Sequence, residues 1–295
     1  MIQVMPSTPH LLLCLCLLLP TGLSLAQQAP TGTSPLQARL DWEQRTLDNP
    51  FTLTSHKPTY VLPLTYNASP NGAPFQGTNT KPLDRLEMKF QISIKFLAWR
   101  NVLGDNSHLF FGYTQQSYWQ AYNRGNSSPF RETNHEPEAI LFFANDWQIL
   151  GFHNRINLVG LSHQSNGLSD PLSRSWNRLY VDFIFEREFL TVSLKPWWRI
   201  PEDDDDDDNP DIDDYLGHGE LGLIYKLGKH NLGLTLRHNF DARGRGAVQV
   251  DWSFPIYHDR LDGYLQYFNG YGESLIDYND SSHRIGLGLI LADWI

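Results

Sequence analysis

The sequence predicts an all-β fold, a twelve-stranded antiparallel transmembrane β-barrel of the outer membrane. Three observations carry that expectation. Beyond residue 57 apolar and polar residues alternate with period two, as strands with two different faces require. The stretches between these segments are short and long by turns. The mean hydropathy is only −0.40, with 41% hydrophobic and 13% aromatic residues. That excludes a bundle of apolar helices, each needing about 20 apolar residues, but fits strands that average a lipid face with a polar one. The net charge of −10 argues against a nucleic-acid binder, whose surface must neutralise phosphates.

Residues 1–26 read as a signal peptide. The chain's one long apolar run is Leu11-Leu12-Leu13-Cys14-Leu15-Cys16-Leu17-Leu18-Leu19, and Ser24 and Ala26 have the −3 and −1 spacing of a cleavage site. Cleavage before Gln27 removes both cysteines, so the remaining 269 residues contain no thiol and cannot rely on disulfides. Residues 27–57, rich in Pro, Thr, Gln and Asn, read as a loosely ordered N-terminal periplasmic arm or plug.

The barrel occupies residues 58–295. Its expected strands are 58–67, 84–98, 107–120, 138–151, 153–166, 176–186, 189–200, 215–227, 231–241, 246–255, 260–270 and 282–294. The alternation is clearest where Leu232, Leu234 and Leu236 oppose Gly233, Thr235 and Arg237, and where Val248, Val250, Trp252 and Phe254 oppose Gln249, Asp251 and Ser253. Short turns near 152–154, 187–188, 228–230 and 256–259 alternate with long loops near 121–137, 167–175, 201–214 and 271–281. Outer-membrane barrels put short turns in the periplasm and long loops outside, so the long loops share the extracellular rim.

His163 and Ser165 end the fifth strand, and Asn177 opens the sixth across one of these loops. On a strand, i and i+2 point the same way, so imidazole and hydroxyl stand side by side. The hairpin partner brings Asn177 to the ring, giving a Ser–His–Asn relay: Ser165 as nucleophile, His163 as general base, Asn177 orienting the ring. Asn177 shares parity with Leu179, Val181, Phe183 and Phe185, while His163 and Ser165 share it with Val159 and Leu161. The relay is therefore expected on the lipid-facing wall, where it would meet phospholipid acyl esters. Set against it is the bland reading, in which a His-x-Ser pair is incidental in a non-enzymatic pore or structural barrel. A secreted soluble calcium-binding β-protein built around the aspartate run Asp203 to Asp208 is a third.

The wider motif His163-Gln164-Ser165-Asn166-Gly167, Ser169-Asp170-Pro171 and Ser173-Arg174-Ser175-Trp176-Asn177-Arg178-Leu179-Tyr180 resembles the active-site signature of the bacterial outer-membrane phospholipase A family. Three further segments resemble it too: Ser127-Ser128-Pro129-Phe130-Arg131-Glu132-Thr133-Asn134, Asn209-Pro210-Asp211-Ile212, and Gly270-Tyr271-Gly272-Glu273-Ser274-Leu275-Ile276-Asp277-Tyr278-Asn279. The resemblance runs in order from about Asn49 to the C-terminus. It implies a calcium-dependent hydrolase of phospholipid and lysophospholipid acyl esters, switched on by homodimerisation. Carried over residue by residue, it places His163, Ser165 and Asn177 on the catalytic positions and the Gly167 N–H at the oxyanion hole. Ser173 and the main-chain carbonyl of Leu168 fall on the Ca2+ site, completed by Ser127 from the partner subunit, with a second, weaker site around Asp170 and Asp208. Gln115 falls at the dimer interface. Two departures stand out: Leu168 replaces the family's usual Arg, and the chain ends Trp294-Ile295, where barrels commonly end in an aromatic.

Overall fold

Strands with one lipid-facing and one lumen-facing side leave no edge when they close into a ring, so every backbone donor and acceptor is paired within the membrane. The computed structural model describes residues 34–295 apart from 48, 50, 51, 77–81, 204, 206, 243 and 258–260. Its wall consists of β1 (Thr59–Asn67), β2 (Leu86–Arg100), β3 (Ser107–Trp119), β4 (Phe130–Ile149), β5 (Phe152–Ser165) and β6 (Ser175–Arg187). It continues through β7 (Leu190–Ile200), β8 (Gly219–Leu227), β9 (His230–His238), β10 (Gly246–Tyr257), β11 (Leu261–Tyr271) and β12 (Ser281–Ala292). Each pairs antiparallel with its neighbours in sequence, and β12 returns to β1, which closes the barrel. The twelve expected strands are all present. The signal peptide lies outside the described residues.

The two faces differ as the parity argument requires. Outside stand Ile92, Phe111, Leu161, Leu179, Leu194, Val250 and Leu287, all exposed on this single chain. Inside, Glu87, Lys89, Arg131, Glu138, Gln266 and Arg284 are buried. On the lumenal side Gly160 is required for packing: a Cβ there would sit 2.0 Å from the Tyr180 ring, whose hydroxyl donates to Glu138 Oε1 at 3.0 Å. A closed membrane barrel of this kind removes the soluble β-protein reading.

Three expectations need correction. Strand β4 begins at Phe130, not 138, because Glu132, Asn134, Glu136 and Glu138 are buried, lumen-facing positions of the strand rather than loop residues. The loop before it is accordingly shorter. Residues Asp213–Leu216 form a helical turn, α2, so β8 starts at Gly219. The stretch expected to be a loosely ordered arm or plug contains an ordered helix, α1 (Pro35–Thr46), followed by a two-residue strand, Thr54–Ser55, paired with β2.

Helix α1 forms for local reasons: Pro35 opens the first turn and the Ser34 hydroxyl caps it by accepting from Gln37 N–H at 3.1 Å. Leu36 is fully buried against Phe110, Ile140, Ile156 and Ile184, near the short-turn end of the lumen. Glu43 pairs with Arg39 and with Lys95 of β2, each at 3.0 Å. At the opposite end, Ile212 and Leu216 of the β7–β8 loop pack on Trp176, Trp197, Leu275 and Tyr278. Both ends of the barrel interior are thus filled by the chain itself.

Candidate active site

The register of the β5–β6 hairpin sets His163 directly opposite Asn177 and Ser165 opposite Ser175. Since Leu161 and Leu179 are exposed on the same face, the imidazole and the amide stand on the lipid-facing wall next to the extracellular rim. His163 Nδ1 and Asn177 Oδ1 are 2.8 Å apart. An amide oxygen only accepts, so Nδ1 carries the proton and the lone pair is on Nε2. Asn177 Nδ2 in turn donates to Glu202 Oε1 at 2.7 Å.

Ser165 is the last residue of β5. Its hydroxyl oxygen accepts the Gly167 N–H at 3.1 Å, and no hydrogen bond joins it to His163 among the described residues. Gly167 has φ +65°, a left-handed conformation that a side chain would strain, and this turn aims its N–H back at the serine. The rest of the loop is braced by the buried Asn166. Its Oδ1 accepts from Leu168 N–H (3.2 Å) and Arg174 N–H (3.0 Å), and its Nδ2 donates to the Leu172 carbonyl at 2.8 Å.

The residues expected at the metal site lie on the same rim. Ser173 donates to Asp208 Oδ2 at 2.5 Å, so residues assigned to two separate calcium sites share one wall. Asp207 is committed elsewhere: it takes Arg199 Nη2 on both oxygens, at 2.6 and 2.7 Å. Asp170 is exposed within the Gly167–Arg174 loop, and Asp203 and Asp205 are exposed within the acidic run. Ser127 is exposed at φ 58°, at the end of a 3-10 turn in the β3–β4 loop. No cluster of three or more His, Cys, Asp or Glu suited to a metal occurs among the described residues. The residues expected to bind the ion offer hydroxyls, carboxylates and the one main-chain carbonyl of Leu168. Such hard oxygens suit Ca2+ rather than a soft metal, and their small number fits weak, hydrated binding.

The two neighbouring glutamines of β3 divide between the faces. Gln116 turns inward and donates to Tyr60 Oη at 3.1 Å. Gln115 is on the outer face, donating to Ser117 Oγ at 3.2 Å. Gln115 pairs across to His135 of β4, and His135 to Ser165 of β5, so these three residues form one row around the wall. His135 Nδ1 is 2.7 Å from Tyr113 Oη.

The three accessory segments turn out to touch one another. Leu275 N–H donates to Asn134 Oδ1 and Ile276 N–H to Glu132 Oε1, each at 3.1 Å. Tyr278 Oη donates to Asp211 Oδ1 at 2.6 Å, and Asn209 Oδ1 accepts Ser175 N–H at 3.0 Å, two residues before Asn177. They are the scaffold that holds the start of β6. The residue missed by sequence reasoning is Glu202, which immediately precedes the aspartate run. The signal that could have found it is position: Ile200 pairs with Asn177, so residue 202 continues the same face.

Comparison with known proteins agrees with this architecture. The family model described as Phospholipase A1 matches residues 36–291. The chain is 44% identical over 248 residues to the phospholipase A1 of Salmonella typhimurium, covering 83% of each sequence. It is 43% identical over 250 residues to that of Escherichia coli, again covering 83% of each. Among solved structures, outer membrane phospholipase A from Escherichia coli superposes with a TM-score of 0.79 and 40% identity, over 83% of this chain and 100% of that one. The Salmonella typhi outer membrane phospholipase, a dimer with bound calcium, gives 0.78 and 42%, over 83% and 94%. A closed twelve-stranded barrel and a family match of this extent have one reading: the chain belongs to the phospholipase A1 family and is a bacterial outer-membrane β-barrel protein.

Proposed function

We propose that the protein is a calcium-dependent phospholipase A that cleaves acyl esters of phospholipids and lysophospholipids at the outer face of its own barrel, and that it is active as a homodimer. The observation that carries this is the His163–Asn177 hydrogen bond on the lipid-facing wall, with Ser165 on the same face. A pore has no use for an oriented imidazole there.

Ser165 Oγ attacks the ester carbonyl carbon while its proton passes to His163 Nε2. The carbonyl oxygen becomes an oxyanion, to which the Gly167 N–H, now donating to Oγ at 3.1 Å, would turn as the new bond forms. Collapse breaks the bond to the glycerol oxygen, which leaves with the proton held by His163. Water, deprotonated by the same imidazole, then releases the fatty acid and restores Ser165. Asn177 keeps the ring in the tautomer these transfers need, though a neutral amide stabilises the imidazolium less than a carboxylate would. Ser173, the Leu168 carbonyl and the partner's serine at position 127 are the residues that would hold calcium, with Asp170 and Asp208 forming a second site. A bound calcium ion would supply positive charge near the developing oxyanion.

The family's calcium-bound dimer from Salmonella typhi supports extending both properties to this chain. Fatty-acid release from detergent-dispersed phospholipid is expected to fall at least about tenfold in EDTA and to return with added calcium. Undiminished release in EDTA would remove the metal from the mechanism. Gln115, whose amide donates to Ser117 Oγ in the polar row of the outer wall, is proposed to lie in the dimer face, where a second copy would add further polar partners. Gln115→Ala should weaken calcium-promoted dimerisation severalfold, about the effect of losing one polar contact in lipid. Crosslinking that is unchanged by the substitution would refute this.

A further inference from the structure

We propose that Glu202 is a positioning residue of the site, acting through Asn177; the proposal rests on the Ser–His–Asn reading above. An asparagine is an ambiguous orienter, because its amide can turn over by about 180° with little change in shape. In one orientation Oδ1 faces His163 Nδ1 and fixes the proton on that nitrogen. In the other, an N–H faces the ring, Nδ1 must accept, and the proton moves to Nε2, where it blocks the lone pair that deprotonates Ser165.

Glu202 removes the ambiguity. Its carboxylate oxygen receives Asn177 Nδ2 at 2.7 Å, and an ionised carboxylate can only accept. The reversed amide would set Oδ1 against that carboxylate, two acceptors in contact. The correct orientation instead gives an unbroken series: carboxylate, amide N–H, amide oxygen, imidazole N–H. A charge-assisted bond at one end of such a series also polarises the amide and strengthens its oxygen as an acceptor. The fold makes the placement reproducible. Ile200 is in register with Asn177, Glu202 follows two residues later on the same face, and His163 is in register on the other side. Asn177 is therefore held between the two from adjacent strands.

The test is a set of substitutions assayed for fatty-acid release at saturating calcium, with barrel folding checked by heat-modifiable migration on a gel. Glu202→Ala should lower kcat roughly tenfold and leave KM unchanged. Glu202→Gln, which can still accept but can also donate, should recover part of that loss. In an Asn177→Ala background, Glu202→Ala should have no further effect, because its intermediary is gone. In an Asn177→Asp background the sign should reverse: two facing carboxylates repel, so Glu202→Ala should raise activity. An unchanged kcat in Glu202→Ala, or an equal loss in the parent and in the Asn177→Ala background, would overturn the proposal. So would a higher calcium requirement with full kcat at saturation, which would assign Glu202 to the metal instead. Ser165→Ala separates the two levels of argument. If it is inactive while Glu202→Ala is indifferent, only the positioning role fails; if it is fully active, the relay itself fails.

Discussion

Ser165→Ala is expected to lower fatty-acid release by about three orders of magnitude or more, with the barrel intact. The size follows from the chemistry: without Oγ there is no acyl intermediate, and water would have to attack a carbonyl shielded by lipid. His163→Ala should cost about as much, and the double substitution little more, because residues acting as one unit lose their effect together. Neither change should affect folding, since both side chains lie on the outer face near the rim and neither joins the lumenal ion pairs. Activity together with covalent labelling by a serine-directed fluorophosphonate provides the check. Release above about a tenth of the parent rate in Ser165→Ala, or labelling that persists there, would show that another group is the nucleophile.

The outer wall was legible in the sequence and the interior was not, for a physical reason. Period-two alternation needs only the contrast between lipid and lumen, so it marked twelve strands and put Leu161, His163, Asn177 and Leu179 on one face. A lumen filled by ion pairs breaks that contrast. Glu132, Asn134 and Glu136 look like loop residues until Arg131, Arg178 and Lys57 are seen to share the interior with them. Helix α1 was hidden likewise: besides Leu36 it is anchored by Arg39 and Glu43, which in a linear sequence read as solvated. Glu202 was overlooked because it abuts six aspartates, and only the β6–β7 register separates it from them.

Arg284→Met should destabilise the barrel by about 3–5 kcal/mol, the cost of leaving buried carboxylates without their partner. Arg284 pairs with Glu87 and, at 2.8 Å, with Glu273 of the β11–β12 loop, while Lys89 reaches Glu273 at 3.0 Å. Arg131 joins Glu87 (3.2 Å) to Asp277, and the ring of Tyr118 has all three cations within 5.3 Å of its centre. Burial pushes the Glu273 carboxyl up, but Arg284 and Lys89 outweigh it and hold the group at about 2. Its folded value is therefore below the ordinary 4.5, so its contribution is complete above pH 4.5 and is lost as the pH falls toward 2. Urea unfolding in detergent, followed by tryptophan fluorescence, should show a lower midpoint for Arg284→Met at pH 7 and a smaller gap from the parent near pH 2. A midpoint equal to the parent's at neutral pH would mean that the cluster is not holding the loop.

The row Gln115–His135–Ser165 has a consequence for control. If Ser165 is the nucleophile proposed above, it faces its substrate in the plane of the membrane rather than in dilute solution. On the proposed reading, weak binding alone would not silence the enzyme wherever that substrate is present. If the dimer proposed above is the active form, the safeguard is incompleteness: a machine that lacks a part until a second copy arrives at the same height on the wall.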